Sequence, residues 1–151
     1  GDVIENLSAQ PKVLMENCTF GKANTHLRFQ SRGGITVKNC ETELPFLLTG
    51  DMNYWYESSP VENMTIENVK FVGKRGNILC APDFMPTEKQ PYYHGRLNVV
   101  NCSFDTDTPV TAHHIRLIEF QNNVNIRGEQ MKFDLAECGE VYAEGVNVER
   151  R

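Results

Sequence analysis

The residues best equipped for chemistry are crowded into two stretches. One is Thr49-Gly50-Asp51-Met52-Asn53-Tyr54-Trp55-Tyr56-Glu57-Ser58-Ser59-Pro60. The other runs from Ala81 to Gly95 and carries Asp83, Phe84, Glu88, Tyr92, Tyr93 and His94. Together they hold the only tryptophan and four of the five tyrosines. Tyr and Trp pair an apolar body with a polar handle. Rings beside carboxylates suit a carbohydrate, whose C–H faces stack while its hydroxyls seek acceptors. Hydrolysis of a glycosidic bond commonly needs two carboxyl groups, ~5–5.5 Å apart for retention or ~6.5–9.5 Å apart for inversion. Asp51 and Glu57 are the candidates by position. The alternative is structural: the rings cover strands and anchor long loops, and Asp51 after Gly50 is a turn residue.

Other reactive types point away from metal or redox chemistry. The five cysteines, Cys18, Cys40, Cys80, Cys102 and Cys138, include no CxxC pair, and no Cys/His cluster has zinc-site spacing. They read as buried free thiols. His113 and His114 are neighbours, and neighbours on a strand face opposite ways, so a shared ion is not expected and a solvated strand is. Neither a metal nor a cofactor is expected. Asn-x-Ser/Thr sequons begin at Asn6, Asn17, Asn63 and Asn101, two of them by-products of a recurring Asn-Cys turn.

That turn exposes the elements that must position the loops. Val13-Leu14-Met15-Glu16-Asn17-Cys18-Thr19-Phe20 is echoed by Ile35-Thr36-Val37-Lys38-Asn39-Cys40. Met64-Thr65-Ile66-Glu67-Asn68-Val69-Lys70-Phe71 and Leu97-Asn98-Val99-Val100-Asn101-Cys102-Ser103-Phe104 follow. Val124-Asn125-Ile126-Arg127-Gly128 reads as a weaker fifth copy, with Gly in the Asn slot, and Val146-Asn147-Val148 as the start of a sixth. Apolar and polar residues alternate in each unit, the signature of a short strand with one buried face. Successive Asn positions lie 22, 29 and 33 residues apart. Periods of about 20–50 residues mean a solenoid, and short strands at this spacing suit a parallel β-helix. Stacked Asn side chains would satisfy one another and the turn backbone.

A second strand is expected after each turn, at His26-Leu27-Arg28-Phe29, Pro45-Phe46-Leu47-Leu48 and Asn77-Ile78-Leu79-Cys80. If 22 residues make a bare coil, the next two carry about 7 and 11 more, inserted after the second strand. Insertions at equivalent points emerge on one face, so Asp51–Glu57 should sit beside Asp83–His94, with Ser31-Arg32-Gly33 one coil away. The fold expected is all-β, a solenoid of about five coils with long loops on one face, filling residues 1–151 as a single segment.

Composition narrows the partners. The 151 residues carry 20 acidic against 15 basic side chains, a net charge of −5, which disfavours nucleic acid. No apolar run approaches the ~20 residues a membrane span needs. Gly1-Asp2-Val3 begins neither a charged nor an apolar leader, so no signal peptide is expected in this stretch.

Two stretches carry a family resemblance. Val3-Ile4-Glu5-Asn6-Leu7, Pro11, the first Asn-Cys unit and Arg32-Gly33 resemble glycoside hydrolase family 110. So, more specifically, does Gly50-Asp51-Met52-Asn53-Tyr54-Trp55-Tyr56-Glu57-Ser58 followed by Val61 and Met64-Thr65-Ile66-Glu67-Asn68. The resemblance covers roughly residues 2–104 and fades after them. It implies a right-handed parallel β-helix and an exo-acting, inverting α-1,3-galactosidase that removes terminal α-galactose from glycans of the blood-group-B type. It further implies that Asp51 or Glu57 has a pocket role, that Arg32, Asn53, Trp55, Tyr56, Tyr93 and His94 meet the sugar, and that the protein is secreted or periplasmic.

The sequence also departs from that family. Members usually carry an Asn-Arg-Ala-Arg-Gly-like segment where this chain reads Asn24-Thr25-His26-Leu27-Arg28, and the family's paired aspartates have no counterpart here. The chain opens inside a strand pattern without the cap a β-helix normally carries. These features describe a C-terminal piece of a longer enzyme, inactive by itself, whose main carboxylate pair lies upstream. An open sheet edge would favour stacking on another chain. The alternative is a non-catalytic carbohydrate-binding or adhesin-like β-helix module.

Overall fold

The computed structural model describes residues 12–21, 27–29, 33–48, 61–80, 88, 91–92 and 94–150. Among these residues there is no helix, and therefore none long and apolar enough to cross a membrane. The described strands are short and all paired in parallel, in three sheets. The first sheet joins β1 (Val13–Glu16), β4 (Ile35–Lys38), β7 (Asn63–Glu67), β10 (His94–Val100), β13 (Ile115–Gln121) and β16 (Glu140–Ala143), in that order. The second joins the two-residue strands β2 (Thr19–Phe20), β5 (Glu41–Thr42), β8 (Lys70–Phe71), β11 (Ser103–Phe104) and β14 (Val124–Asn125). The third joins β3 (Leu27–Phe29), β6 (Phe46–Leu48), β9 (Ile78–Cys80), β12 (Val110–His113), β15 (Met131–Ala136) and β17 (Val146–Arg150). From β1 to β16 the chain visits the three sheets in turn, so each strand pairs with the one three strands later. That pattern is consistent with a parallel β-helix.

Two positions of the expected repeat need correction. Val124–Gly128 is not the fifth copy of the first strand: Val124–Asn125 pairs with Ser103–Phe104 in the sheet of two-residue strands. The fifth copy is β13, and its turn residue is Asn122, at φ 55°. Val146–Val148 does not start the sixth, because β17 lies on β15 in the third sheet. The sixth is β16, paired with β13. Both misreadings have one cause, since any Val-Asn-Ile or Val-Asn-Val alternation looks alike whichever sheet it joins. The two-residue strands after each turn are not among the strands expected from the sequence. They are a separate sheet because an Asn at positive φ bends the chain between each of them and the first-sheet strand before it.

Asn17, Asn39, Asn68, Asn101 and Asn122 all hold φ between 50° and 59°. Asn tolerates this left-handed conformation better than most residues because its short side chain can bond locally. Asn68 Nδ2 donates to Asn39 Oδ1 at 2.8 Å, one rung of the expected Asn ladder. The backbone N–H groups of Asn17, Asn39, Asn68 and Asn101 also bond the next repeat, as when Asn39 N–H donates to the Glu67 carbonyl at 3.1 Å.

The inward positions form one core. Ile35, Met64, Leu97 and Ile118 are in register on the first sheet and buried, and Val37, Ile66, Val99 and Phe120 form the second buried row. Phenylalanines run through the middle: Phe46–Phe71 at 4.9 Å, Phe71–Phe104 stacked at 4.6 Å and 6°, and Phe120–Phe133 edge-on at 4.5 Å. Burial of each such ring contributes roughly 1.5–3 kcal/mol. Thr42 takes a slot in the row that Phe20, Phe71 and Phe104 otherwise fill, and its hydroxyl is satisfied by the Leu44 N–H and carbonyl, both at 3.0 Å.

Candidate functional site

The link from the third sheet to the first is where the chain changes length. From Phe29 to Ile35, Ala112 to Ile118 and Leu135 to Val141 it takes six residues. From Leu48 to Met64 it takes 16, and from Cys80 to Leu97 it takes 17. The surplus therefore falls after the second long strand, where the spacing predicted it, and it is nearly equal in the two repeats.

Both long segments leave and return side by side. They leave at Leu48 and Cys80, which are register partners at the ends of β6 and β9. They return at Val61 and His94, and Gly95 N–H donates to the Val61 carbonyl at 3.0 Å. Asp51, Asn53, Trp55, Tyr56 and Glu57, together with Arg32 and Tyr93, lie outside the described residues.

His94 is the one candidate that is described. It opens β10 at 2% exposure, and its Nδ1 accepts the Val61 N–H at 3.1 Å. An acceptor at Nδ1 carries no proton there, so this bond requires that nitrogen deprotonated. The imidazole thus fastens the return of segment 49–60 to the start of β10.

Glycine makes this seam possible. A Cβ on Gly95 would stand 2.1 Å from the Glu62 carbonyl oxygen, and one on Gly139 would stand 2.3 Å from that of Arg116. Both glycines lie at the same link between sheets, two repeats apart. In the later repeats the link is tight, through His114 at φ 55° and Glu137 at φ 52°. His114 thus stands at a corner and not, as expected, on a solvated strand beside His113. Among the described residues no group of three or more His, Cys, Asp or Glu could hold a metal.

The outer face of the first sheet carries polar groups next to the same seam. Arg96 Nε bonds Glu119 Oε1 at 2.5 Å and its Nη1 donates to Asn63 Oδ1 at 3.2 Å, bridging three consecutive repeats. Lys12, Gly33, Thr36, Glu62 and Asn63 border an open cavity of about 390 Å³ on this face. A second, of about 510 Å³, lies between Glu119, Gln121, Tyr142 and Glu144. Tyr142 hydroxyl donates to Glu140 Oε2 at 2.9 Å, and that bond and the carboxylate's charge raise the phenol's pKa. Arg96 and Glu119 do not stand out in the sequence, and Asn63 does so only as the start of a sequon. Their signal was available in the outward positions of strands whose register follows from the repeat.

Four of the five thiols sit in locally equivalent turns. Cys18, Cys40, Cys102 and Cys138 each follow a residue at positive φ and donate to the carbonyl two residues back, at 3.2–3.5 Å. Burial pushes Cys40 and Cys80 upward and Cys102 up to about 12, so these groups stay protonated at neutral pH.

Comparison with known proteins finds three relatives named for one activity. The chain is 29% identical over 142 residues to alpha-1,3-galactosidase B of Bacteroides thetaiotaomicron, a match covering 84% of this chain and 23% of that protein. It is 28% identical over 141 residues to alpha-1,3-galactosidase A of Streptomyces avermitilis, covering 82% of the chain and 21% of that protein. Alpha-1,3-galactosidase A of Bacteroides fragilis matches at 27% over 142 residues, covering 85% and 24%. The chain thus spans under a quarter of the length of these curated relatives, and the part matched is C-terminal. The resemblance covers more of the chain than the sequence motifs alone reach. No family model matches the chain, and no solved structure does.

Proposed function

We propose that this chain is the C-terminal β-helical part of a glycoside hydrolase acting on terminal α-1,3-linked galactose, and that segments 49–60 and 81–93 form a wall of its sugar pocket. The observation that carries this reading is the similarity to three proteins named alpha-1,3-galactosidase over more than four fifths of the chain. The shared seam supports it, since two segments that leave and return side by side can present their side chains to one ligand. The fold in this reading is a closed right-handed parallel β-helix of about five coils with its long loops on one face. In an inverting hydrolase one carboxylic acid protonates the leaving oxygen while a second carboxylate activates water. Asp51 or Glu57 serves the pocket as acid or as hydrogen-bond partner of the sugar, and the principal carboxylate pair belongs to the longer polypeptide. Arg32, Asn53, Trp55, Tyr56 and Tyr93 contact the sugar, while His94 holds the pocket's floor through Val61. Export to the periplasm or the medium, and stacking of two copies through an open sheet edge, belong to the same reading.

The test is activity on a terminal α-1,3-galactoside. In the longer polypeptide, Asp51→Asn or Glu57→Gln should lower kcat at least about 100-fold with an unchanged Tm, the usual scale for a positioned acid or base. Unchanged kcat in both variants refutes the pocket role. Galactose release by the 151-residue chain alone refutes the assignment of the principal pair to another part. Sugar binding without hydrolysis in the longer polypeptide replaces the enzyme with a carbohydrate-binding module.

A further inference from the structure

Cys18 and Cys40 occupy directly opposite positions in neighbouring parallel repeats. Glu16 pairs with Lys38 and Thr19 with Glu41, which places Asn17 opposite Asn39 and Cys18 opposite Cys40. Neighbouring strands lie about 4.8 Å apart, inside the ~4.4–6.8 Å range of Cα separations that a disulfide spans. The two side chains also lean the same way. Cys18 Sγ donates to the Glu16 carbonyl at 3.4 Å and Cys40 Sγ to the Lys38 carbonyl at 3.2 Å. Cys40 Sγ accepts the Cys18 N–H at 3.4 Å, so the buried sulfur already reaches across to its neighbour's backbone.

No other pair among the five cysteines is directly opposite in neighbouring repeats; Cys138 lies close enough to Cys80 for its charge to add to the burial that pushes that thiol up, but the register places it opposite Ile115. The registers place Val69 between Cys40 and Cys102, Asn123 on the far side of Cys102, and Ala112 opposite Cys80. The exposures also differ usefully. Cys18 is half-buried and open to a small reagent, whereas Cys40 is 4% exposed and meets only what is already attached next to it.

We propose that Cys18 and Cys40 form an oxidative modification site, closed to a disulfide by a small-molecule disulfide such as oxidised glutathione. The Cys18 thiolate attacks one glutathione sulfur, breaks the glutathione S–S bond and expels one glutathione thiolate. The departing glutathione thiolate takes the Cys40 proton as the Cys40 sulfur attacks the Cys18 sulfur, which breaks the mixed disulfide and expels the second glutathione thiolate. Two protein thiols are oxidised, one small disulfide is reduced to two thiols, and the two protein protons pass to the departing thiolates. The bond encloses residues 18–40 and ties the first described repeat to the second. The seam segments 49–60 and 81–93 lie in later repeats, outside the enclosed stretch.

The folded chain, incubated with oxidised glutathione, is alkylated without reduction and mapped by peptide mass spectrometry. The expected product lacks two hydrogens, joins the peptides of Cys18 and Cys40, leaves Cys80, Cys102 and Cys138 free, and melts several degrees higher until a reductant is added. Cys18→Ser should abolish the product and its Tm shift, and its half-exposed position spares the fold. Five free thiols overturn the proposal. So do a persistent glutathione adduct at Cys18 that never closes, and a linkage between any other pair.

Discussion

Substituting Gly95 by alanine tests whether the seam is closed by backbone contact. Gly95 begins the return into β10, and an added Cβ would stand 2.1 Å from the Glu62 oxygen and 3.0 Å from the Glu62 carbonyl carbon. A carbon normally keeps about 3.3 Å from a carbonyl oxygen, so the strands must part by about 1 Å. Two hydrogen bonds stand in the way: Gly95 N–H to the Val61 carbonyl at 3.0 Å and Arg96 N–H to the Glu62 carbonyl at 2.9 Å. Stretching both costs about 1–3 kcal/mol, and forcing an extra carbon into a packed interior adds about 1–3 kcal/mol. The expected loss for G95A is about 3 kcal/mol, read from the urea midpoint with the slope unchanged. Gly128→Ala is the reference, since Gly128 has φ 79° with nothing within 4 Å of its added Cβ and pays only the left-handed penalty of about 1–2 kcal/mol. If G95A is no more destabilised than G128A, the close approach is not real and the reasoning for the seam fails.

Three further outcomes follow from the same contacts. His94→Phe fills the buried site but leaves the Val61 N–H without its 3.1 Å acceptor, and should cost about 1–3 kcal/mol in urea unfolding; a loss under about 0.5 kcal/mol would show that the bond contributes nothing. Asn68→Ala keeps φ 50° with a residue unsuited to it and removes the 2.8 Å bond to Asn39, so about 1–2 kcal/mol should be lost, while Asn68→Gly should recover most of it. Cys102 has a folded pKa of about 12 against an ordinary 9.0, so folding favours the protonated thiol. Its contribution is whole below pH 9 and is lost as pH rises from 9 towards 12, with a slope approaching about 1.4 kcal/mol per pH unit. Cys102→Val, which copies the natural occupant Val69 of the repeat below, should flatten that alkaline decline, and an identical decline in the variant would remove the thiol as its cause.

The legible part of the fold is the part written in a residue that does a conformational job. Asn recurs because a left-handed corner needs it, and so β1, β4, β7 and β10 can be aligned by eye. The later repeats are harder to align because Val124–Asn125 and Val146–Val148 show the same alternation while joining other sheets, and the corners at His114 and Glu137, between the third sheet and the first, carry no Asn signature. The two-residue strands escaped notice for another reason: two residues show no period, and Thr19–Phe20 merges with the strand before it. At the candidate site, the spacing of the repeats located the two long segments. It could not disclose that His94 turns inward, because a histidine that binds a ligand and one that binds a backbone N–H are identical in sequence. Gly95 and Gly139 were equally silent, since their meaning is a distance to a carbonyl one repeat away.

The unequal behaviour of the links between sheets has a practical meaning for change over evolutionary time and at the bench. From the first sheet to the second the step is always six residues, whether counted from Val13 to Thr19, Ile35 to Glu41, Met64 to Lys70, Leu97 to Ser103 or Ile118 to Val124. A one-residue slip of the short strand at that step would turn its side chains to the opposite face. From the third sheet to the first, six and 16 residues are accommodated with the same register on both sides. That link works as a cassette port. Segments of different length or composition can be exchanged between Leu48 and Val61, or between Cys80 and His94, while the strands on either side keep their register.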